Sequence, residues 1–378
     1  MRFRHLLCWC LLLPFAAAPL RAQDSTTTTS PVGRPATNRY PRDTVHLLHH
    51  GYPYGSDVTY SPLSVMAHKG YEILQMSGSD RRILTMDYPA LWRGGVVEPL
   101  RYPAQAIRRF GGWERFTRVE LLPVSFDVSE MNWFVNWTEH LFVGGLTMRK
   151  LDEYYRAHGV PAPRLLAALT TYAASAMNEM QEFPAARGAI AATVADLLFF
   201  DTAALLLFQF DWPTRFFART LRASDWSPMA GFTLPERELW NNGTYYALKP
   251  SIGLQRTRLF IRGGMGAQVG LSRALDEAHS LSIGLGGDAQ VRRVDPATGH
   301  ESAGFAPAGG IFYDRNDALL WSVTTSPGEN LVSLNVYPGV LPGKAGALGV
   351  WGVYSRSGHL SIGLLHRKSL GLGLGYGR

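Results

Sequence analysis

Beyond residue 10 the chain contains no cysteine, because both of its cysteines, Cys8 and Cys10, stand in the first ten positions. Past that point a disulfide, a thiolate nucleophile and a cysteine-held metal are all excluded. Charge is also scarce, at 18% of residues, and there is no Lys/Arg cluster of the kind nucleic-acid binding needs. No HExxH pair, paired ExxH or Gly-x-Ser-x-Gly elbow occurs, so the common zinc-protease and serine-hydrolase signatures are missing. "GGMGAQVG" (263–270) is glycine-rich, but its period-two surroundings make it a strand and not a phosphate loop. No motif calls for a cofactor.

What is present is apolar and small. Hydrophobic residues make up 46% of the 378 positions, with 39 glycines, 16 tyrosines and 10 tryptophans. This mixture favours a glycine- and aromatic-rich β protein or a membrane-associated one. "MRFRHLLCWCLLLPFAAAPLRAQD" has a basic start at Arg2 and Arg4, an apolar Leu6–Ala18 run and a cleavable Leu20-Arg21-Ala22. It reads as a signal peptide over 1–22, too short to be a spanning helix, and so as export to the outer membrane or periplasm of a bacterium. Its removal takes away three arginines and no acid, which lowers the formal charge from +7 to +4.

Residues 23–44, rich in Thr, Ser and Pro, read as a disordered leader. Residues 45–128 are mixed, with a strand expected over Phe116–Val124; the histidines of "HLLHHGY" (46–52) read as a solvated segment. Residues 129–222 take on helical texture. Ser129 is a candidate N-cap, Gly144-Gly145 a candidate kink, and Pro161 and Pro163 mark a helix start. From 223 to 378 the period changes to two. Leu281, Ile283 and Leu285 share one face, as do Val332, Leu334 and Val336, and "LGLGLGYG" (370–377) sets Leu and Tyr against glycines. About eight such segments alternate with turns. The fold expected is α+β: a small three-helix unit followed by an antiparallel, barrel-like β region. Tyr245, Tyr246, Trp321, Tyr337, Trp351 and Tyr354 are candidates for membrane-interface belts. One departure is the C-terminus, Tyr376-Gly377-Arg378, where bacterial barrels usually end on an aromatic residue.

"ADLLFFDTAALLLFQFDW" (195–212) is long and oily enough to suggest a membrane helix, yet it carries Asp196 and Asp201. A charge in hydrocarbon costs roughly 2.5–3.5 kcal/mol on insertion scales. The stretch is better read as a helix wrapped by protein. In a regular α-helix its two aspartates stand about 140° apart, so different partners are expected: Asp196 toward His140 or the Asn178/Glu182 face, Asp201 toward a backbone amide or an arginine. The polar residues of this region, His140, Asn178, Glu179, Glu182, Asp196 and Asp201, read first as a buried hydrogen-bond network, with Arg149 and Arg187 as further partners. A metal held by His140, Glu182 and Asp196 is the sharper alternative, as is acid/base chemistry by Glu139, His140, Glu182 and Asp196.

The pattern "NWTEHLFVGG…LDEYYRAHG…SAMNEMQEF…ATVADLLFFD" resembles small bacterial envelope domains similar to YfiM-type lipoproteins and related outer-membrane proteins. The likeness covers residues 132–210 and is carried by His140, Gly144, Asn178, Glu179, Glu182, Asp196 and Asp201. Met177-Asn178 departs from it, standing where the pattern has an aromatic or basic residue before Glu. The resemblance implies a compartment and no activity. The expectation is an envelope protein of structural or binding type, with outer-membrane lipid as its partner and no nucleic acid. The alternative is a metal- or acid/base-dependent enzyme acting on lipid or cell-wall material between the helices.

Overall fold

The structure, a computed structural model, describes the backbone over residues 46–76, 79–124, 132–186, 191–294, 301–326 and 330–377. Residues 1–22 and 23–44, read above as a signal peptide and a leader, lie outside the described residues, as do Ser129 and Arg187. Helical elements fill residues 55–220, and strands follow from Ser224. The protein is therefore α+β.

Helix α1 (Pro62–His68) starts where the sequence provides the right chemistry. Ser61 and Ser64 form a reciprocal capping box, and Pro62 occupies the first turn. The segment expected to be a strand is helical, over Gly112–Phe116 and Thr117–Leu121. Phe116, Val119 and Glu120 are all buried. Their spacing of three and four is a helix period, and it outweighs the β-branched content. The helical part is thus larger than a three-helix unit, because most of residues 88–121 belongs to it.

Among the described residues five helical segments are π-helical: Arg93–Val97, Thr117–Leu121, Asn136–Val143 (π1), Val194–Asp201 (π2) and Phe216–Thr220. Gly144-Gly145 breaks nothing, since π1 runs directly into α2 (Gly144–Ala157). Gly145 instead admits a neighbour: a Cβ there would lie 2.1 Å from the Phe208 ring. Helix α3 (Pro163–Ala186) packs along α2, and π2 continues as α4 (Thr202–Leu207). No single described helix is long and apolar enough to cross a membrane. Ala191–Leu207 and Asp211–Thr220 meet at an 80° bend.

The strands are β1 (Ser224–Asp225), β2 (Gly231–Thr233), β3 (Glu238–Trp240), β4 (Tyr246–Leu248), β5 (Thr257–Gly263), β6 (Gly266–Ala274), β7 (His279–Val294), β8 (Glu301–Arg315), β9 (Ala318–Thr325), β10 (Asn330–Val336), β11 (Leu348–Ser355), β12 (Leu360–His366) and β13 (Gly373–Gly377). That is thirteen among the described residues against the expected eight or so, because β1 to β4 are two or three residues long and show no period. They form one sheet in the order β1-β4-β5-β6-β7-β8-β9-β10-β11-β12-β13-β2-β3. Every pairing is antiparallel except β13 with β2. No pairing joins β1 to β3 among the described residues, so the ladder is not closed.

The two faces of the sheet are opposite in character to those of a soluble sandwich. Many of the alternating Leu, Ile and Val side chains of β6 to β13 point outward, while Leu319, Val353 and Leu365 are buried. Leu285 is 72% exposed, and Ile283, Ile362, Leu364 and Leu374 are each at least half exposed. The covered face carries Gln268, Ser272, Ser282, Asn335 and Ser361 together with a few large aromatics. Trp226, Phe260, Phe312, Tyr337 and Trp351 belong to that inner cluster. The interface-belt reading therefore fails for Tyr245, Tyr246, Tyr337 and Trp351, all of which are buried, while Tyr354 is 45% exposed. The glycines between the outward leucines have a steric reason. Cβ atoms at Gly231, Gly363, Gly373 and Gly375 would each fall within 3 Å of the Trp351 indole. The indole lies on a floor of glycines from β2, β12 and β13.

Candidate functional site

π1 and π2 lie against each other and bring the region's polar residues together. His140 stands between two carboxylates. Its Nδ1 is 3.2 Å from Asp201 Oδ1, and its Nε2 is 3.8 Å from Asp196 Oδ2. Glu179 of α3 completes the group, with ligand-capable atoms of His140, Glu179 and Asp196 all within 4.8 Å of one another. All four residues are buried.

The expectation that Asp196 and Asp201 face different partners is thus corrected for Asp201, which meets His140 and neither an arginine nor a backbone amide. The cause is the helix type. In a π-helix the hydrogen bonds run from i to i+5, so residues five apart come round to the same side. Arg149, a suggested partner, pairs with Asp211 at 2.7 Å. Of the other candidates, Asn178 Oδ1 accepts from the Ile73 amide at 2.8 Å, and its Nδ2 donates to Glu182 at 3.3 Å. Glu182 is only partly buried. Glu139 is buried on π1, but it belongs with Glu72 and Lys69, not with His140.

Sequence reading missed three members of this polar core. Lys69 is 2% exposed and follows α1; both its Nζ and Asp201 Oδ1 lie within 4 Å of where a Gly144 Cβ would be. Burial alone would depress Lys69, but Asp201, Glu72 and Glu139 around it reverse that and hold its ammonium above its ordinary pKa. Glu72 is pushed up by burial to about 7, and its Oε1 accepts from the Thr244 amide of the β3–β4 loop. Glu120 is also pushed up to about 7 by burial, while Asn132 and Asn136 donate to it. Burial, followed by repulsion from Glu179 and Glu182, drives Asp196 well above the carboxylate range. Lys69 and Glu72 sit in "MAHKGYEILQ", where no apolar run drew attention to them.

A second polar cluster ties the first described residues to the helices and the sheet. Glu153 of α2 accepts from the amides of Leu47, Leu48 and His49 at 2.8–3.0 Å. Lys150 Nζ lies 3.2 Å from Asp225 and 3.8 Å from Asp57, over the ring of Tyr60. His49 is buried beside Asp57, so the "HLLHH" segment is not a solvated one. His68 lines the same region with Tyr60, Thr147 and Asp225.

His68 gives a pH prediction. Burial lowers its pKa from 6.5 to about 4, against a weaker raising effect of Asp225. Below pH 6.5 the unfolded chain takes up a proton here that the folded chain refuses, so His68 withdraws stability as pH falls from 6.5 toward 4. Wild type should lose about 2–3 kcal/mol relative to His68→Gln between pH 7 and pH 4.5, from linkage arithmetic on that shift. The measurement is denaturant unfolding of both proteins across that range. A pH-independent difference would contradict the burial of a neutral imidazole.

Inside the sheet a polar cavity of ≈ 60 Å³ is lined by Asn241, Asn242, Tyr245, Arg262 and Asp288, with Gln75 reaching in from the helical part. Tyr245 donates to Gln75 at 2.9 Å, and the Arg262 guanidinium lies 3.5 Å from the Tyr245 ring centroid. The short helix Glu72–Gln75 therefore joins the buried acids on one side to the inner face of the sheet on the other. Compared with family models, curated proteins and solved structures, the chain matches none.

Proposed function

We propose that this is an exported protein of the bacterial envelope whose sheet is embedded in the outer membrane, curled toward a barrel, with the helical part set against its inner face. The observation that carries this reading is the outward row of Leu, Ile and Val on β6 to β13, opposite a covered face where Ser, Gly, Asn and Gln stand beside a cluster of buried aromatics. A monomer in water rarely leaves a contiguous apolar patch of this extent uncovered. Lipid covers such a face in outer-membrane strands, where apolar residues point out and polar or small ones point in. The polar cavity and the inward Arg262 and Asp288 fit the inside of such a structure. Its role on this reading is structural or binding, with outer-membrane lipid as the partner.

The full chain, expressed with its leader, is expected to fractionate with outer membranes and to show heat-modifiable gel mobility. Leu285→Arg, at the most exposed of these leucines, is expected to cost about 2–4 kcal/mol of folding into lipid vesicles if it lies near the bilayer midplane. The same change on a water-facing strand would be nearly neutral. Recovery of the wild-type chain in the soluble fraction after detergent-free lysis would overturn the proposal.

A further inference from the structure

The strongest unabsorbed feature is the His140 group, and its geometry resembles a ligand set more than a hydrogen-bond network. The 3.8 Å between His140 Nε2 and Asp196 Oδ2 is too long for a hydrogen bond. Two ligand bonds of about 2.1 Å to a shared ion can span such a gap. On the far side of the ring, Nδ1 meets Asp201 within hydrogen-bond range. A carboxylate in that position fixes the tautomer and aims Nε2, as carboxylates behind metal-bound histidines do. A separate observation points the same way. Asp196 is 95% buried, and its Oδ1 has no hydrogen-bond partner among the described residues. A buried carboxylate oxygen left without a donor is costly unless a cation or proton meets it.

We infer that His140, Asp196 and Glu179 bind one divalent transition-metal ion, with Asp201 as the residue that positions His140. An imidazole with two carboxylates suits Zn²⁺, Mn²⁺ or Fe²⁺ better than Ca²⁺ or Mg²⁺, which favour all-oxygen shells. The π-helical form of π2 turns Asp196 and Asp201 toward the same histidine. Gly95 presses against α3 where it carries Glu179, with a Cβ at Gly95 lying 2.8 Å from the Met180 Cα. Thr193 Oγ1 donates to the Gly95 carbonyl at 3.1 Å. The group is therefore enclosed by several packed elements, as a site holding a fixed geometry requires. The inference is independent of the membrane reading, since it concerns the helical part alone.

The experiment uses the full chain, purified in detergent, stripped with chelator and titrated with Zn²⁺, Mn²⁺ and Co²⁺. One ion per chain is expected to bind, Co²⁺ should give a visible ligand-field spectrum with an imidazole contribution, and the melting temperature should rise on loading. Asp196→Asn, close in shape to the wild-type side chain, is expected to abolish the spectrum. Asp201→Asn is expected to weaken binding about 10–100-fold, the usual effect of losing a residue behind a metal-bound histidine. Near-UV circular dichroism of each stripped variant reports whether it has folded. A folded wild-type chain that binds none of the three ions would overturn the inference. So would a folded Asp196→Asn variant with unchanged affinity.

Discussion

Replacing Lys249 by methionine is expected to destabilise the protein by about 3–5 kcal/mol, the cost of removing one partner from a buried ion pair. Lys249 Nζ lies 2.9 Å from Asp314 and 2.7 Å from Asp317, and all three side chains are at most 2% exposed. Asp317 keeps Arg222, at 2.7 Å. Asp314 is left with the Asp317 amide at 3.2 Å as its remaining donor and no cation in contact. The lysine also secures the junction between the two parts of the chain, because its amide donates to the Leu221 carbonyl at the end of the helical part. Denaturant unfolding in detergent micelles measures the loss. Adding Asp314→Asn to Lys249→Met should recover a substantial part of it, since the double variant no longer buries that unpaired charge. Strict additivity of the two single changes would show that they do not interact.

The second large effect concerns Trp351, which is fully buried above its glycine floor. Trp351→Ala is expected to cost about 3–5 kcal/mol through lost burial and the cavity left behind. A companion substitution tests the packing directly. A Cβ at Gly231 would stand 2.0 Å from the indole, with no backbone atom among its nearest contacts. Gly231→Ala should therefore cost about 1–3 kcal/mol in the wild-type background, the usual range for overpacking. In the Trp351→Ala background it should be neutral or favourable. Unfolding of the four proteins of this cycle gives the sign. An equal cost of Gly231→Ala in both backgrounds would remove the indole as the reason for the glycine.

How much of this was legible in the sequence depends on the length scale of the signal. The long strands and their Leu/Ile/Val faces could be read from a period of two. The short β1 to β4 could not, since two or three residues carry no period. Phe116–Val124 reads as a strand from the sequence, yet the contacts that hold Phe116 and Val119, with Phe110 and the π2 region, are tertiary. Of the buried polar group, the sequence names His140, Glu179, Asp196 and Asp201, which the fold brings together, but not Lys69, Glu72 or Glu120. Asp196 and Asp201 were placed on different sides by assuming an α-helix, and no local residue marked the π-helical turn that lines them up. Lys69 and Glu72 were missed because their burial depends on α1, π1 and the β3–β4 loop meeting in space. Gly363, Gly373 and Gly375 had read as simple small-residue alternation; their use as seats for Trp351 depends on which strands become neighbours.

The parallel pairing of β13 with β2 sets an order of events. Gly231 pairs with Gly373, and only β3 flanks β2 on its other side. During synthesis β2 and β3 therefore exist as a three-residue hairpin, which is marginal without a further strand. The strand they need, β13, is made more than 130 residues after β3. A chain interrupted before Gly373 would present both the β2 edge and the β12 edge unpaired, and open edges invite pairing with other chains. Closing so long a loop delays the step further, since non-local contacts form late and slowly. The protein thus completes its sheet only after β13 is available, and until then it depends on whatever keeps those two edges apart from other strands.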